Sequence, residues 1–279
     1  MGARTIADLA PEVETARLER VATWYDPRSD FDRHACRYGA ALIRRHAAPG
    51  RCLEVGCGTG AQTLALLESF DEIDALDGSE QNVARTRAAV VAAICGAARA
   101  EGGAPARGKS ARVRRALAEE FDPGATRYAN VVMTHFLEHV ASPVALLRQY
   151  AGFLTPGGAI HVTVPNAGSL HREVGVAMGI LGKTTDLSER DVRIGHRRVY
   201  TLGLLRRHVR EAGLRVDVVE GILLKPLSNA QMECLEPRLV EPLFAAGGNH
   251  AALCAEIYVQ CRGPRREARR DFNPVTSPA

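Results

Sequence analysis

The fold is decided by the segment Arg51-Cys52-Leu53-Glu54-Val55-Gly56-Cys57-Gly58-Thr59-Gly60, in which an apolar run leads directly into three alternating glycines behind one acidic residue. Glycines permit positive φ angles and leave the backbone bare, so a ligand can lie directly on a strand-to-helix turn. The dinucleotide fingerprint is G-x-G-x-x-G, with a pyrophosphate at the helix N-terminus, whereas this chain has E-x-G-x-G-x-G. The pattern therefore disfavours a dinucleotide and predicts a ligand with a positive charge near Glu54.

A second acidic position lies downstream of this turn. Residues 73–77 are predicted to form a short strand that ends in Asp77, the position from which α/β folds bind a ribose diol. Together, Glu54, the glycines and Asp77 indicate a site for adenosine attached to a cationic group.

Residues 53–60, followed by Asp77-Gly78-Ser79, resemble motif I and its acidic partner in class I S-adenosylmethionine-dependent methyltransferases. Three later segments resemble the fourth strand, a helix-to-strand turn and the fifth strand of that fold: residues 128–135, 154–158 and 160–166. The resemblance spans most of the chain. It implies an α/β fold with a Rossmann-like, doubly wound, seven-stranded mixed sheet whose final strand is antiparallel.

The predicted organisation is a helical N-terminal cap (1–48), a methyltransferase domain (49–262) with a lid insertion at about 166–200, and a flexible basic tail (263–279). Helices are expected from about Pro11 to Ala48. A Gly/Ala/Arg-rich stretch, residues 95–110, is predicted to be a flexible insertion. The remaining predicted elements are a third strand at 113–121, a helix at 201–212 and strands at 214–219 and 255–261.

Composition favours a globular enzyme of the cytoplasm. The 279 residues are 46% hydrophobic and 24% charged, which is enough to bury a core, and no apolar stretch is long enough to span a bilayer. The N-terminus lacks a signal-peptide core. Seven cysteines occur without a Cys-x-x-Cys pair, which favours reduced thiols over a disulfide frame or zinc ribbon.

Two basic clusters, residues 107–115 and 262–270, could touch phosphate, and the net charge is +4. Aromatic residues make up only 5% of the chain, and none alternates with these arginines as a base-stacking platform would. We therefore interpret both clusters as solvated surface, and we expect a small-molecule acceptor rather than nucleic acid or membrane as partner.

The resemblance assigns a set of residues to S-adenosylmethionine, namely Tyr25, Glu54, Gly56, Cys57, Gly58, Gly60, Asp77, Gly78, Ser79, Ala118, Glu119 and His135. In the family, an acidic residue after the third strand usually meets the adenine amino group. The natural alignment places Leu117 there, with Glu119 and Glu120 close behind.

Residues 166–200 form a long connection after the fifth strand, where insertions cover the ligand crevice of α/β folds. We interpret this connection as an acceptor-binding lid, and the alternative is a surface excursion of ordinary helices. Its candidate acceptor-binding residues are Asn166, His171, His196, Arg197, Arg198 and Tyr200.

The segment His135-Phe136-Leu137-Glu138-His139 is the candidate chemical centre. It matches the H-x-x-E-H string of a metallopeptidase family, but that string must lie within a helix of a different fold. It also resembles the E-x-x-E-H segment of ubiquinone-pathway O-methyltransferases and small-RNA 2′-O-methyltransferases, which hold a divalent metal. Here His135 replaces the first glutamate, and His196 could supply a later ligand.

Three interpretations of this segment remain open. His139, oriented by Glu138, could act as a general base, with His135 alongside. Alternatively His135, Glu138, His139 and His196 could bind a divalent metal softer than magnesium that orients the acceptor oxygen. In the third interpretation, His135 packs against the cofactor while Glu138 and His139 only stabilise the start of a helix.

The sequence thus predicts a methyltransferase acting on oxygen first and nitrogen second of a small polar metabolite, in specialised (natural-product) metabolism. The alternatives are an RNA or peptide methyltransferase and a non-catalytic S-adenosylmethionine-binding protein. An intact cluster of His135, Glu138 and His139 favours an enzyme.

Overall fold

The computed structural model describes residues 11–100, 109–248 and 250–264. The helices are α1 (Pro11–Trp24), α2 (Asp32–His46), α3 (Ala61–Leu67), α4 (Glu80–Ala100), α5 (Pro143–Ala151), α6 (Leu170–Ala177), α7 (Glu189–Ile194), α8 (Leu202–Glu211), α9 (Asn229–Met232) and α10 (Val240–Gly247). The strands are β1 (Cys52–Val55), β2 (Glu72–Asp77), β3 (Ser110–Arg115), β4 (Tyr128–Thr134), β5 (Leu154–Pro165), β6 (Arg215–Ile222) and β7 (Glu256–Arg262). Parts of the predicted cap (1–10), insertion (101–108) and tail (265–279) lie outside the described residues.

The seven strands form one mixed sheet in the order β3-β2-β1-β4-β5-β7-β6. The first five are parallel, and β7 runs antiparallel to both β5 and β6. This confirms the predicted seven-stranded sheet and its antiparallel final strand. The strand order reverses between β1 and β4, so the ligand crevice of this topology lies outside the carboxyl ends of those two strands.

The central strands are apolar on both faces, as expected where helices cover a parallel sheet on both sides. All four residues of β1 are buried, and so are six of the seven residues of β4. One hydrophobic cluster joins the sheet to α5 and α8 through Leu147 and Leu205, and a second joins it to α2 and α3 through Ile43 and Leu66. The sheet is therefore held rigidly beneath the crevice.

Some boundaries differ from the prediction. The third strand spans Ser110–Arg115, so it begins three residues before the predicted segment 113–121, which was expected to hold the strand and its exit. Because β3 is an edge strand, only Val113 is buried, which explains why its sequence is too polar for a central strand. Helix α4 continues to Ala100, well into the predicted insertion.

Two long connections emerge at the carboxyl edge of the sheet. The first, residues 166–200, contains α6 and α7, and the second, between β6 and β7, contains α9 and α10. Helix α1 packs against α4, which follows β2. All three regions contribute to the walls of one cavity.

Candidate active site

A cavity of about 790 Å³ lies at the predicted crevice and is bordered by the turns that follow β1 and β4. This volume falls within the roughly 300–1,000 Å³ typical of small-molecule sites. Its walls combine the glycine turn, the segment after β4, α1, the connection 166–200 and the start of the connection between β6 and β7.

The glycine turn has the conformation that its sequence predicts. Gly56, Gly58 and Gly60 have φ angles of 81°, 53° and 86°, in the left-handed region that only glycine enters without strain. A Cβ on Gly56 would lie 2.4 Å from Phe136, so the two turns touch there. A Cβ on Gly58 would meet nothing within 4 Å, and Gly58 and Cys57 both line the cavity. The backbone of this turn is thus open to a ligand.

Glu54 lies buried at the end of β1, beneath this turn. Thr63 donates a hydrogen bond of 2.6 Å to its Oε2, while Oε1 has no hydrogen-bond partner among the described residues. Burial raises the pKa of Glu54 to about 7, against the opposing effect of Thr63 and with help from the charge of Asp77. A cation bound above the turn would favour the ionised carboxylate.

Asp77 is the last residue of β2 and lines the cavity beside the glycine turn. Its Oδ2 accepts from the Gly58 N–H and its Oδ1 from the Ser79 N–H, both at 2.9 Å. Burial raises the pKa of Asp77, although these backbone donors oppose the shift. Asp77 Oδ1 also accepts from Asn82 Nδ2 at 3.3 Å, so Oδ2 is the oxygen that keeps capacity for a second hydrogen bond, such as one from a ribose hydroxyl.

Helix α1 covers the residues that follow Asp77. A Cβ on Gly78 would lie 2.5 Å from Leu18 of α1, which explains the glycine there. The Ser79 hydroxyl donates to Glu19 of α1 at 2.8 Å, so the predicted cofactor residues Gly78 and Ser79 face α1 rather than the cavity.

Two other residues assigned to the cofactor lie away from the cavity walls. Ala118 is buried in the hydrophobic cluster of α5 and α8, where its carbonyl accepts from Tyr150 at 3.0 Å. Glu119 is exposed. The side chain of Leu117, which the alignment places near adenine, would lie 2.9 Å from a Cβ on Gly78.

His135 is the first residue after β4 and has a φ of 49°, which directs the chain sharply away from the strand. Its Nε2 lies 3.0 Å from Glu256 Oε1, and its Nδ1 lies 3.6 Å from Glu138 Oε1. Burial by itself lowers the pKa of His135, but Glu256 and Glu138 outweigh burial and hold the pKa well above its usual value. His135 is therefore an imidazolium held between two carboxylates.

His139 lines the same cavity, but its pKa is shifted in the opposite direction to that of His135. Burial lowers its pKa to about 4, against the raising effect of Glu138 and with help from His196. Its Nδ1 lies 3.3 Å from the Gly195 carbonyl oxygen, so the tautomer with a proton on Nδ1 leaves Nε2 as an acceptor. His139 is thus neutral at pH 7 and can take up a proton.

His196 brings the connection 166–200 against this centre. Its ring packs on that of His139 with centroids 4.7 Å apart, and its Nδ1 lies 3.0 Å from Asp191 Oδ1. Glu138 is fully buried between these rings, with His196 Nε2 3.8 Å from its Oε1. Ligand atoms of Glu138, His139 and His196 lie within 4.8 Å of one another, a set that could hold a metal ion.

Among the predicted acceptor-binding residues, Asn166, His171 and His196 line the cavity. The Asn166 side chain donates to the carbonyl of Ala252 and accepts from the Gly168 N–H, so it ties the connection 166–200 to the chain before β7. Burial lowers the pKa of His171 to about 3, and its Nδ1 has no hydrogen-bond partner among the described residues.

Three further predicted acceptor-binding residues lie behind the segment after β4. Arg197 Nε donates to the His139 carbonyl at 2.7 Å, and Arg198 Nη1 donates to the carbonyls of Leu137 and Val140. Tyr200 is fully buried in a hydrophobic cluster. In this position the arginines fix the backbone that carries Glu138 and His139.

A polar wall at the far end of the cavity includes residues that the sequence did not single out. Tyr25, predicted to touch the cofactor, donates to Asp32 Oδ2 at 3.0 Å. Asp32 also accepts from Arg190 and Asn229, both at 2.7 Å. The wall further contains Lys225 and Glu256. These residues come from α2, α7, the β6–β7 connection and β7, so no local sequence pattern connects them.

A Rossmann-like sheet with this strand order, an acidic glycine turn and a carboxylate at the end of β2 defines the class I S-adenosylmethionine-dependent methyltransferases. A family described as a methyltransferase domain matches residues 28–219, well over half of the chain. The chain belongs to this methyltransferase family, and it is an enzyme that uses S-adenosylmethionine.

Individual relatives agree with this assignment. The chain is 27% identical over 228 residues to a ubiquinone biosynthesis O-methyltransferase of Marinobacter nauticus, covering 77% of this chain and 87% of the relative. The structure is similar, with a TM-score of 0.58 and 16% identity, to the CcbJ methyltransferase of Streptomyces caelestis, covering 90% of this chain and 99% of that one. The structure is also similar, again with a TM-score of 0.58 and 16% identity, to a 1,6-didemethyltoxoflavin-N1-methyltransferase of Burkholderia thailandensis. That match covers 95% of this chain and 94% of the other chain.

Among the described residues, no helix combines the length and apolar character that a bilayer crossing requires.

Proposed function

We propose that this methyltransferase transfers a methyl group from S-adenosylmethionine to an oxygen of a small polar metabolite, with nitrogen as the second candidate atom. The observation that carries the proposal is His139, a neutral imidazole that lines the cavity beside Glu138. The name of the Marinobacter relative supports oxygen as the acceptor atom. The size of the cavity, about 790 Å³, supports a small acceptor, and we assign the reaction to specialised metabolism.

The residues present fit the cofactor. Glu54 keeps one buried oxygen without a partner among the described residues beneath the open backbone of the glycine turn. Asp77 lines the cavity and would hold the ribose diol. When bound, the cofactor supplies an electrophilic methyl group. The enzyme's part is alignment, exclusion of water and removal of a proton.

His139 would take that proton while the methyl group is being transferred. With a pKa of about 4, it is too weak a base to deprotonate an alcohol or phenol beforehand. As the oxygen forms its new bond it becomes positively charged, and its proton becomes far more acidic. Glu138 would then stabilise the imidazolium that His139 becomes, since ligand atoms of the two side chains lie within 4.8 Å of each other.

A divalent metal is the second candidate for activating the acceptor. It is favoured by the close approach of ligand atoms from Glu138, His139 and His196. His135, the fourth predicted ligand, is instead paired with Glu256, which makes its ring nitrogens poorer ligands. We therefore place the general base ahead of the metal.

The acceptor class is tested by supplying S-adenosylmethionine with an isotopic methyl group to the enzyme together with a metabolite extract, total RNA and a peptide digest. The proposal predicts label in a small metabolite, bonded through oxygen. Label in RNA or peptide would favour the alternative methyltransferases. Binding of the cofactor without any labelled product would favour a non-catalytic binding protein.

A further inference from the structure

Glu256 is the first residue of β7 and lines the cavity, although only 7% of its surface is exposed. Its two oxygens differ in what they contact. Oε1 holds His135 at 3.0 Å, whereas Oε2 is buried and has no hydrogen-bond partner among the described residues. Leaving a carboxylate oxygen unsatisfied in a buried site costs free energy, so a ligand that donates a hydrogen bond there would gain affinity.

Lys225 lies on the same wall, just after β6, the strand that pairs with the start of β7. Its ammonium group donates to Asn229 Oδ1 and carries further N–H donors. Ile222 of β6, three positions before Lys225, pairs directly with Glu256. Burial lowers the pKa of Lys225, while the charges of Asp32 and Glu256 oppose this shift. The wall thus offers an anionic acceptor and a cationic donor to the same cavity.

We infer that Glu256 and Lys225 form a subsite that binds a hydroxyl group of the acceptor other than the one that is methylated. A hydroxyl can donate to Glu256 Oε2 and accept from Lys225 Nζ at once. An ammonium group can only donate and would face the cations His135 and Lys225. A carboxylate can only accept and would face Glu256. The acceptors that fit are therefore neutral alcohols or phenols with at least two hydroxyls.

Apolar lining residues of the cavity limit these acceptors further. The connection 166–200 contributes five of them, namely Val174, Met178, Ile180, Leu181 and Ile194. An acceptor with hydroxyls along one edge and an apolar face on the other would satisfy both sets of residues. Glu256 and Lys225 would then decide which hydroxyl lies beside His139.

This inference rests on the proposed function, and its test begins with the acceptor that isotopic labelling identifies in the metabolite extract. Purified Glu256→Gln and Lys225→Met are compared with the parent enzyme for acceptor KM, kcat and affinity for S-adenosylhomocysteine. We expect each variant to raise the acceptor KM about ten- to hundredfold, the effect of losing one hydrogen bond to a charged group, with cofactor affinity unchanged. Glu220→Gln is the matched control, because Glu220 lies on β6 outside the cavity and contacts Arg45 and His46.

An acceptor analogue without the second hydroxyl sharpens the test. The parent enzyme should show the same rise in KM for this analogue, and the Glu256 and Lys225 variants should show no further rise, as in a double-mutant cycle. If Glu256→Gln fails to fold, which thermal melting would show, Lys225→Met and the analogue still decide the matter.

The inference is overturned if the labelled metabolite has no second hydroxyl, or if Glu256→Gln lowers kcat alone while Lys225→Met has no effect. In the last case Glu256 would act only through His135. Either result leaves the proposed function intact. Label in RNA or peptide instead of a metabolite would overturn the proposed function, and this inference with it.

Discussion

The two halves of the cavity are built in different ways. The proposed cofactor half consists of Glu54, the turn Gly56 to Gly60 and Asp77. It is held by backbone hydrogen bonds from the turn to Leu76 of β2 and by the Gly58 N–H, which donates to the Asp77 carboxylate. The acceptor half is held by side-chain pairs between segments far apart in the chain, such as His135 with Glu256 and Arg190 with Asp32. The first half depends on backbone conformation, and the second on charge pairing.

This difference predicts which properties each half controls. Substitutions in the cofactor half should change affinity for S-adenosylmethionine, and substitutions in the acceptor half should change turnover or acceptor KM while cofactor affinity stays constant. A variant that changes both equally would show that the halves are not separable. The predictions below run from the largest expected effect to the smallest.

The largest effect is expected from His139→Ala, which removes the proposed base from the acceptor half. Turnover should fall by roughly 10²- to 10⁴-fold, the usual contribution of general-base catalysis. Single-turnover kinetics measure this loss, and calorimetry should show unchanged affinity for S-adenosylmethionine. His250→Ala, at an exposed histidine outside the cavity, provides the control and should keep full activity. Retention of activity in His139→Ala would remove the general base from the account.

Asp77→Ala should weaken binding of both S-adenosylmethionine and S-adenosylhomocysteine by about 2–4 kcal/mol, because a pair of charge-assisted hydrogen bonds is lost. The variant also frees the Gly58 and Ser79 N–H groups that Asp77 now accepts from. Titration calorimetry measures both affinities. Unchanged affinity, or binding of NAD in place of S-adenosylmethionine, would contradict the assignment of the cofactor half.

Glu54 should make the ligand-free enzyme less stable as the pH rises. Its folded-state pKa of about 7 lies above the value of an unfolded glutamate, so the folded state binds more protons between about pH 4.5 and 7. This stabilising contribution is complete below about pH 4.5 and is lost as the pH rises through 7, which costs about 2–3 kcal/mol between pH 5 and pH 8.

Glu54→Gln should abolish that loss, and denaturant unfolding of both proteins at pH 5 and pH 8 measures it. The same variant should bind S-adenosylmethionine more weakly at pH 8, because an uncharged amide replaces the carboxylate near the cation. An identical pH dependence in the two proteins would show that Glu54 is not the titrating group.

Arg197→Ala should have the smallest effect, about a tenfold fall in kcat, because a small displacement of His139 already slows an aligned reaction. A positioning role lowers kcat with acceptor KM unchanged, whereas the acceptor contact predicted from the sequence raises KM. Arg206→Ala, at an exposed arginine on α8, serves as the control. Kinetics with the identified acceptor distinguish these outcomes.

The same contrast between halves explains how much could be predicted from the sequence. The glycine turn and the strand ending in Asp77 follow from local patterns, because strand periodicity and glycine conformation are local properties. The seven-stranded sheet with its antiparallel last strand was implied by the family resemblance, since periodicity alone does not show which strands pair. The partnership of His135 with Glu256 could not be predicted, since 121 positions separate them and only the antiparallel register of β7 on β5 brings Glu256 beside Pro165.

The positions of Arg197 and Arg198 illustrate the same limit. Their chemistry suits contact with a polar acceptor, but the structure turns both guanidinium groups toward carbonyls of residues 137–141. A sequence does not show which side of a connection faces the ligand. By contrast, the segment His135 to His139 could be singled out because its residue types are rare together and follow a recognisable strand, and of the four predicted ligands Glu138, His139 and His196 lie together.

The central claim is that His139 removes the acceptor proton as a general base without help from a metal. A chelator titration of the purified enzyme during methylation of its identified acceptor, with elemental analysis of the same preparation, tests this most directly. The account predicts unchanged turnover at saturating chelator and no stoichiometric divalent metal. Loss of activity on chelation, with recovery on addition of a divalent ion, would contradict it and assign Glu138, His139 and His196 to a metal.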